Sequence, residues 1–185
     1  MTELHTDRLL LRPLQPDDGD AFAAMNADAR VMEFFPATLS RTESNALLDR
    51  IMTHQAMHGF SLMAVIEKDS GLFCGFTGLL TADFAVPFCP AVEIGWRFAH
   101  AAWGRGLGPE AAQACLAYGF SELHLSEIIS FTAVQNFRSI RVMEKIGLQR
   151  DADNDFEHPN LPQGHALRPH VLYRLRREQW IASMA

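Results

Sequence analysis

The chain has 185 residues, of which 48% are hydrophobic and 21% are charged. Length and composition together suit one soluble globular domain, residues 1–185, and give no sign of a second. The net charge of −6 and the pI near 5.7 argue against a nucleic-acid groove and favour amine or cationic partners.

The first half of the chain predicts helices and strands from its apolar spacing and its helix caps. A capping box at Ser40 and Glu43 starts the second helix, and Gly59 can end it in the left-handed conformation. The predicted elements are a strand at 6–14, helices at 17–26 and from Ser40 to Gly59, and strands at 60–67, 72–82 and 91–98.

The second half alternates helices with strands around one long irregular segment. The predicted elements are a helix at 109–120, a strand at 127–132, a helix at 136–146, a short strand at 148–150, a loop at 151–169, a strand at 170–175 and a closing helix at 176–184. This order indicates a mixed α/β sheet.

The stretch from Trp103 to Ala112 carries the strongest chemical signal. Gly104, Gly106 and Gly108 leave the backbone free to take positive φ, and Pro109 suits the first turn of a helix. A glycine loop that leads into a helix presents backbone N–H groups and the positive end of the helix dipole, which favour a phosphate or pyrophosphate.

Other interpretations of this loop are weaker. A P-loop needs Gly-Lys-Ser/Thr at the helix entry, whereas Pro109 and Glu110 follow Gly108. A dinucleotide fingerprint belongs in the first strand-helix turn, and this loop lies past the middle of the chain. A flexible strand-to-helix turn without a ligand stays an alternative for the loop taken alone.

The N-terminal residues and the cysteines bear on location. The first seven residues lack the basic and apolar regions of a signal peptide, and no apolar run reaches membrane-spanning length, so we expect a cytoplasmic protein. Cys74, Cys89 and Cys115 are scattered without metal or redox spacing, which predicts reduced structural thiols.

Four motifs and the opening segment resemble the GNAT acetyltransferases, most closely their RimJ/RimL-like branch. They are EIGWRF at 93–98, WGRGLG at 103–108, NFRS at 136–139, MEKIGL at 143–148 and the opening TDRLLLR at 6–12. The resemblance covers nearly the whole chain. It implies a single GNAT domain with a mixed, mostly antiparallel sheet of about seven strands, flanked by helices and with splayed central strands.

The resemblance also implies acetyl-CoA as co-substrate, with no metal. The pyrophosphate would lie on amides around the glycine loop, the pantetheine arm along the strand that ends at Phe98, and Ser139 near the thiol. The implied cofactor-binding residues are Trp96, Phe98, Trp103, Gly104, Arg105, Gly106, Gly108 and Asn136. The family loop commonly begins with Gln or Arg, but Trp at that position is frequent in the RimJ/RimL-like branch.

Acetyl transfer needs a neutral amine, a donor for the developing oxyanion and a proton for the departing thiolate. Glu93 is the candidate base, because it lies on the strand that leads to the thioester. Its alternative roles are a solvated carboxylate or an ion pair with Arg97. Ser139 is the candidate proton donor, and a backbone N–H near Phe98 is expected to bind the oxyanion.

Two segments are candidates for the acceptor side. Phe34 and Phe35 precede a proline in a loop, and the 151–169 loop with the strand after it carries His158, His165 and His170. Both sets suit either ordinary packing or a substrate wall, and the histidine spacing matches no standard metal site.

The predicted function is an N-acetyltransferase that acts on a small-molecule amine or on a protein N-terminal amine. The long histidine loop favours a small amine, whereas the family resemblance favours a protein. The alternative from another class is a GNAT scaffold that binds acetyl-CoA without turnover, as a sensor or in an assembly. A homodimer is possible in either case.

Overall fold

A computed structural model describes residues 2–183. Within them the chain divides into two compact units, one of residues 2–80 and 95–115 and the other of residues 81–94 and 116–183. None of the helices in this described part is long and apolar enough to cross a membrane. The prediction that residues 1–185 form a single domain stays a prediction.

Nine strands and five α-helices are formed by the described residues. The strands are β1 (Leu4–His5), β2 (Leu9–Pro13), β3 (Leu62–Glu67), β4 (Phe73–Ala82), β5 (Ala91–Phe98), β6 (Glu127–Ala133), β7 (Gln149–Arg150), β8 (Phe156–Glu157) and β9 (Pro169–Arg176). The helices are α1 (Gly19–Ala27), α2 (Arg41–His58), α3 (Leu107–Ser121), α4 (Phe137–Lys145) and α5 (Arg177–Ala182).

The first unit contains strands in the order β1-β2-β3-β4-β5. The pairs from β1 to β4 are antiparallel. Two glycines of β4 allow neighbouring backbone to approach closely: a Cβ on Gly75 would lie 2.2 Å from the Arg97 carbonyl oxygen, and one on Gly78 would lie 2.3 Å from that of Ser61. These glycines are therefore required by the sheet itself.

Helices α1 and α2 complete the core of the first unit. The predicted capping box is confirmed: the Ser40 side chain accepts from the Glu43 amide at 3.3 Å, and the Glu43 carboxylate accepts from the Ser40 amide at 2.8 Å. Gly59 ends α2 with φ +79°. The buried cluster of this unit comprises Leu14, Phe22, Met25, Val31, Leu48, Ile51, Leu62, Ala64 and Phe76.

The second unit contains the order β5-β6-β9-β7, with β8 also paired to β9. β5 and β6 run parallel with Glu93 opposite Ile129, and every residue of β6 is paired with β9 in an antiparallel ladder. Ile129 and Leu172 are completely buried, as is Phe120, whose ring stacks on Trp180 at 5.3 Å. These contacts provide the second unit with its own apolar core.

The predicted mixed, mostly antiparallel sheet with flanking helices is confirmed, with nine strands rather than about seven. The additional strands are the two-residue β1 and β8, which are too short for a hydrophobic period to show, whereas the predicted short strand at 148–150 is β7. The 151–169 segment is accordingly not wholly irregular, since β8 pairs with β9 inside it. The closing helix ends at Ala182, and Met184 of the predicted helix lies outside the described residues.

Candidate active site

The glycine loop leads into α3 with the backbone geometry of an anion-binding turn. Gly104 and Gly106 take φ of +73° and +76°, which side chains strongly disfavour. The helix begins at Leu107, two residues before the predicted start at Pro109, and the Glu110 amide reaches back to the Gly106 carbonyl at 3.3 Å. The amides of Leu107 and Gly108 in the first turn therefore have no helical acceptor and are available to an anion.

Ion pairs hold this loop against the start of the chain. The Arg8 guanidinium binds the Glu110 carboxylate at 2.5 Å and also donates to the Arg105 carbonyl at 2.9 Å, while Thr6 donates to the same carboxylate at 2.5 Å. The Arg105 side chain forms an ion pair with Glu67. Because Glu110 is neutralised by Arg8, its charge does not cancel the positive end of the α3 dipole.

The loop is also anchored to the end of β5. The Trp103 indole donates to the Phe98 carbonyl at 2.9 Å, and a Cβ on Gly108 would lie 3.6 Å from the Phe98 ring. Phe98 is buried, whereas Trp96, two residues earlier on the same strand face, is partly exposed. Trp103 thus has a structural role that the sequence did not reveal, in addition to its predicted role in cofactor binding.

The Glu93 carboxylate is isolated from other charged groups. Its side chain is partly exposed, yet within residues 2–183 it makes no hydrogen bond or ion pair. Burial raises the pKa of Glu93 to about 8 from the ordinary 4.5. Such a carboxyl exchanges a proton near the pH at which an α-amine does, which suits a general base.

The ion pair between Glu93 and Arg97 that was considered from the sequence is wrong. Arg97 donates instead from Nη1 to the Asn26 side-chain oxygen at 2.6 Å, and its guanidinium stacks on Phe35 at 4.1 Å. Burial lowers the pKa of Arg97 to about 10. The two residues share a strand face, but they are four positions apart in an extended chain and do not meet.

Asn136 and Ser139 lie together at the start of α4. The Asn136 side chain caps the helix by accepting from the Ser139 amide at 3.2 Å, and its NH₂ donates to Thr132 Oγ1 at 2.9 Å and to Ser139 Oγ at 3.1 Å. Both NH₂ protons are used, so Asn136 retains acceptor capacity only. The Ser139 hydroxyl proton has no acceptor within the described part of the chain and is available to a ligand.

Two of the three predicted histidines belong to an aromatic cluster in the second unit. The aromatic cluster is formed by six partly exposed rings, Phe84, Phe88, Phe131, Phe156, His158 and His170. Its histidine rings lie 4.9 Å apart, and burial lowers the pKa of both. They are therefore neutral at pH 7.

The strand register relates Glu93 to this cluster. Glu93 is opposite Ile129 in the β5–β6 pair, and Phe131 is the next residue of β6 on the same face. Leu172 lies opposite Phe131 on β9, and His170 is the next residue on that face. The candidate base and the aromatic rings therefore share one side of the sheet in the second unit.

The remaining predicted residues lie elsewhere. The His165 ring accepts from the Leu167 amide at 3.1 Å and is not part of the aromatic cluster. Phe34 and Phe35 are partly exposed in the segment between α1 and α2, where Val31 and Met32 provide the buried anchors.

Four phenylalanines of the cluster were missed by sequence reasoning. Phe84 and Phe88 lie in the 83–90 segment, which was treated as a proline-punctuated loop, and Phe131 and Phe156 come from β6 and β8. The sequence signal was a high phenylalanine content, 13 residues, without information on which rings meet. Across residues 2–183, no group of three or more His, Cys, Asp or Glu is arranged to hold a metal ion.

Comparison with known proteins identifies the family. The sequence profile of the acetyltransferase (GNAT) domain matches residues 8–149. The uncharacterized protein YkkB of Bacillus subtilis (strain 168) is 32% identical over 148 residues, 80% of this chain and 85% of that protein. The uncharacterized N-acetyltransferase YnaD of the same organism is 29% identical over 176 residues, 95% of this chain and 97% of that protein.

A solved structure agrees with these sequence matches. The acetyltransferase (GNAT family) from Bacillus anthracis superposes with a TM-score of 0.80 at 28% identity, covering 96% of this chain and 99% of that one. The positive-φ glycine loop, the helix that follows it and these matches lead to one conclusion: the chain belongs to the GNAT acetyltransferase family and is an acyltransferase.

Proposed function

We propose that this protein transfers the acetyl group of acetyl-CoA to a primary amine. The observation that carries the proposal is the turn formed by Gly104 and Gly106, which presents the first-turn amides of α3 while Arg8 neutralises Glu110. The pyrophosphate of acetyl-CoA is an anion of the size and charge that such a turn accommodates. The motifs at residues 6–12 and 93–98 support placement in the RimJ/RimL-like branch.

The donor is proposed to be held by residues of the loop and of β5. Leu107 is added to the predicted set, because its amide is the first without a helical acceptor. The β5 residues from Trp96 to Phe98 remain the candidates for the pantetheine arm. Asn136 remains a candidate too, and its hydrogen bonds limit it to accepting from a pantetheine N–H rather than donating to a carbonyl.

Glu93 and Ser139 are proposed to handle the protons. The amine nitrogen attacks the thioester carbonyl carbon, and the carbon–sulfur bond breaks. Glu93, as carboxylate, accepts the proton that the amine loses, directly or through water. The Ser139 hydroxyl donates to the departing thiolate and is reprotonated from solvent, a modest contribution because a thiol of pKa about 8.5 is already a fair leaving group.

The acceptor is proposed to be a small-molecule amine. Six partly exposed aromatic rings on the Glu93 side of the sheet provide apolar surface and neutral imidazoles, which suit the body of a small ligand. A protein N-terminus in an open groove is the second candidate acceptor, and the RimJ/RimL-like motifs favour it.

Thiol release from acetyl-CoA in the presence of an amine panel tests the proposal. The panel contains amino acids, amino sugars, polyamines and short peptides with free N-termini. Release that depends on one class identifies the acceptor. Calorimetric binding of acetyl-CoA without release for any amine would favour a non-catalytic binding module instead.

A further inference from the structure

Arg97 is a partly exposed cation with a buried Nε, and none of the carboxylates in residues 2–183 is its partner. Its recorded contacts are the Asn26 oxygen at 2.6 Å and the rings of Phe35 and Phe76 at 4.1 and 5.3 Å, and no carboxylate among residues 2–183 pairs with it. Asn26 is neutral and completely buried. A buried donor without a hydrogen-bond partner is costly, so the unpaired Nε calls for an explanation.

The unoccupied donors of Arg97 lie on one edge of the guanidinium. Nη1 is taken by Asn26, while Nε is buried without a hydrogen-bond partner. Nη2 also lacks a partner in the described chain but is not enclosed as Nε is. Nε–H and one Nη2–H point in parallel, and this edge of the fork matches the two oxygens of a carboxylate.

The surroundings of Arg97 fix its orientation. The Phe35 ring covers one face of the guanidinium, and the Asn26 side chain is itself held by the Ser44 hydroxyl at 3.4 Å. Two exposed arginines of this chain differ from Arg97 in having a carboxylate partner: Arg30 pairs with Asp28 at 2.6 Å, and Arg41 pairs with Asp20 at 2.6 Å. Arg97 is preorganised for an anion that the protein does not supply.

We propose that the Nε/Nη2 edge of Arg97 binds a carboxylate of the acceptor, so that the substrate is a small amine that also carries a carboxylate, such as an amino acid. This assignment rests on the proposed acetyltransferase function. An entering carboxylate binds the accessible Nη2 first and completes the pair at Nε once the atoms that cover Nε move aside. Phe35, for which the sequence left open ordinary packing or a substrate wall, acts here as the stacking support.

Matched acceptors test the assignment. Thiol release is measured for an amino acid, its primary amide and the amine that lacks the carboxylate, with wild type, Arg97→Gln and the surface control Arg50→Gln. We expect wild type and the control to favour the carboxylate acceptor about tenfold or more in kcat/KM, as a bidentate charge-assisted pair allows. Arg97→Gln should bring the ratio near one, and because the ratio compares acceptors within one variant, a general loss of rate in Arg97→Gln does not affect it.

An NMR experiment on the wild-type protein tests the same assignment without depending on turnover or on the folding of Arg97→Gln. The buried Arg97 Nε–H is followed by NMR in ¹⁵N-arginine-labelled protein, assigned with Arg97→Lys. Titration with an N-acetyl amino acid should shift this resonance, while its amide should not. A larger response to inorganic phosphate, or none to the carboxylate, would overturn the assignment.

The two proposals fail in distinguishable ways. Transfer to amines with equal kcat/KM whether or not they carry a carboxylate, or a ratio preserved in Arg97→Gln, would overturn the carboxylate site and leave the acetyltransferase function intact. A carboxylate-dependent Nε shift in a protein that releases no thiol with any amine would refute the transferase activity and support the site.

Discussion

Replacing Glu93 by Gln should remove one component of the pH dependence of stability, the fall that ionisation of this carboxyl causes in wild type. A carboxyl whose pKa rises from 4.5 to about 8 on folding binds its proton more tightly in the folded chain. The free energy of unfolding of wild type therefore falls as the pH rises from about 4.5 to about 8. The full pKa difference corresponds to at most about 5 kcal/mol, at ~1.36 kcal/mol per tenfold change in ionisation constant. The side chain keeps some contact with water, so we expect about half of this.

The same substitution should change the rate profile. With a pKa of about 8, only about one tenth of Glu93 is ionised at pH 7 and about nine tenths at pH 9. If the carboxylate is the base, kcat/KM of wild type rises through this interval beyond what ionisation of the amine explains. Glu93→Gln should lose this component, lowering the rate about a hundredfold at pH 9 and about tenfold at pH 7.

Two assays decide the matter. Urea unfolding at pH 5, 7 and 9 measures stability, and thiol release over the same range measures the rate. Glu122→Gln is the control, because Glu122 is exposed and directly follows the end of α3. A Glu93→Gln protein with the wild-type rate at every pH would refute the role as base. A wild-type stability that does not fall between pH 5 and 9 would refute the raised pKa itself.

Three further substitutions have expected outcomes. Gly106→Val should weaken acetyl-CoA binding at least tenfold by calorimetry, because any side chain at φ +76° carries about 1–2 kcal/mol of strain. Gly59→Val is the control: at φ +79° it should carry the same strain and still bind acetyl-CoA normally. Gly75→Ala should lower the free energy of unfolding in urea by about 3 kcal/mol or more, because its Cβ would lie 2.2 Å from the Arg97 carbonyl oxygen. The control is Gly71→Ala, whose Cβ would meet nothing within 4 Å. Equal losses of stability in the two variants would contradict this explanation. His158→Ala should raise the KM of the acceptor several-fold and leave the KM of acetyl-CoA unchanged. The control is His5→Ala, because His5 is exposed. An unaltered acceptor KM would show that the aromatic cluster is not part of the binding site.

Local signals in the sequence determined the main helices and strands and the position of the donor loop. The capping box at Ser40 and the alternation in β5 depend on residues close in the chain, and both were predicted at the right positions. The glycines of the loop also needed only local information, since positive φ is a property of each residue. The start of α3 was predicted two residues late, because Pro109 is tolerated anywhere in the first turn, where its missing N–H has no helical acceptor.

Only the tertiary structure decided which side chains meet. An ion pair with Glu93 was one of the alternatives for Arg97 from their positions on one strand, yet Arg97 binds Asn26, 71 positions away in the chain. The aromatic cluster combines rings from the 83–90 segment, β6, β8 and β9, and no local period connects them. The raised pKa of Glu93 likewise comes from burial, which only the folded chain creates. Backbone conformation follows from neighbours along the chain, whereas charge environment and side-chain contact follow from the packing of segments that the chain keeps far apart.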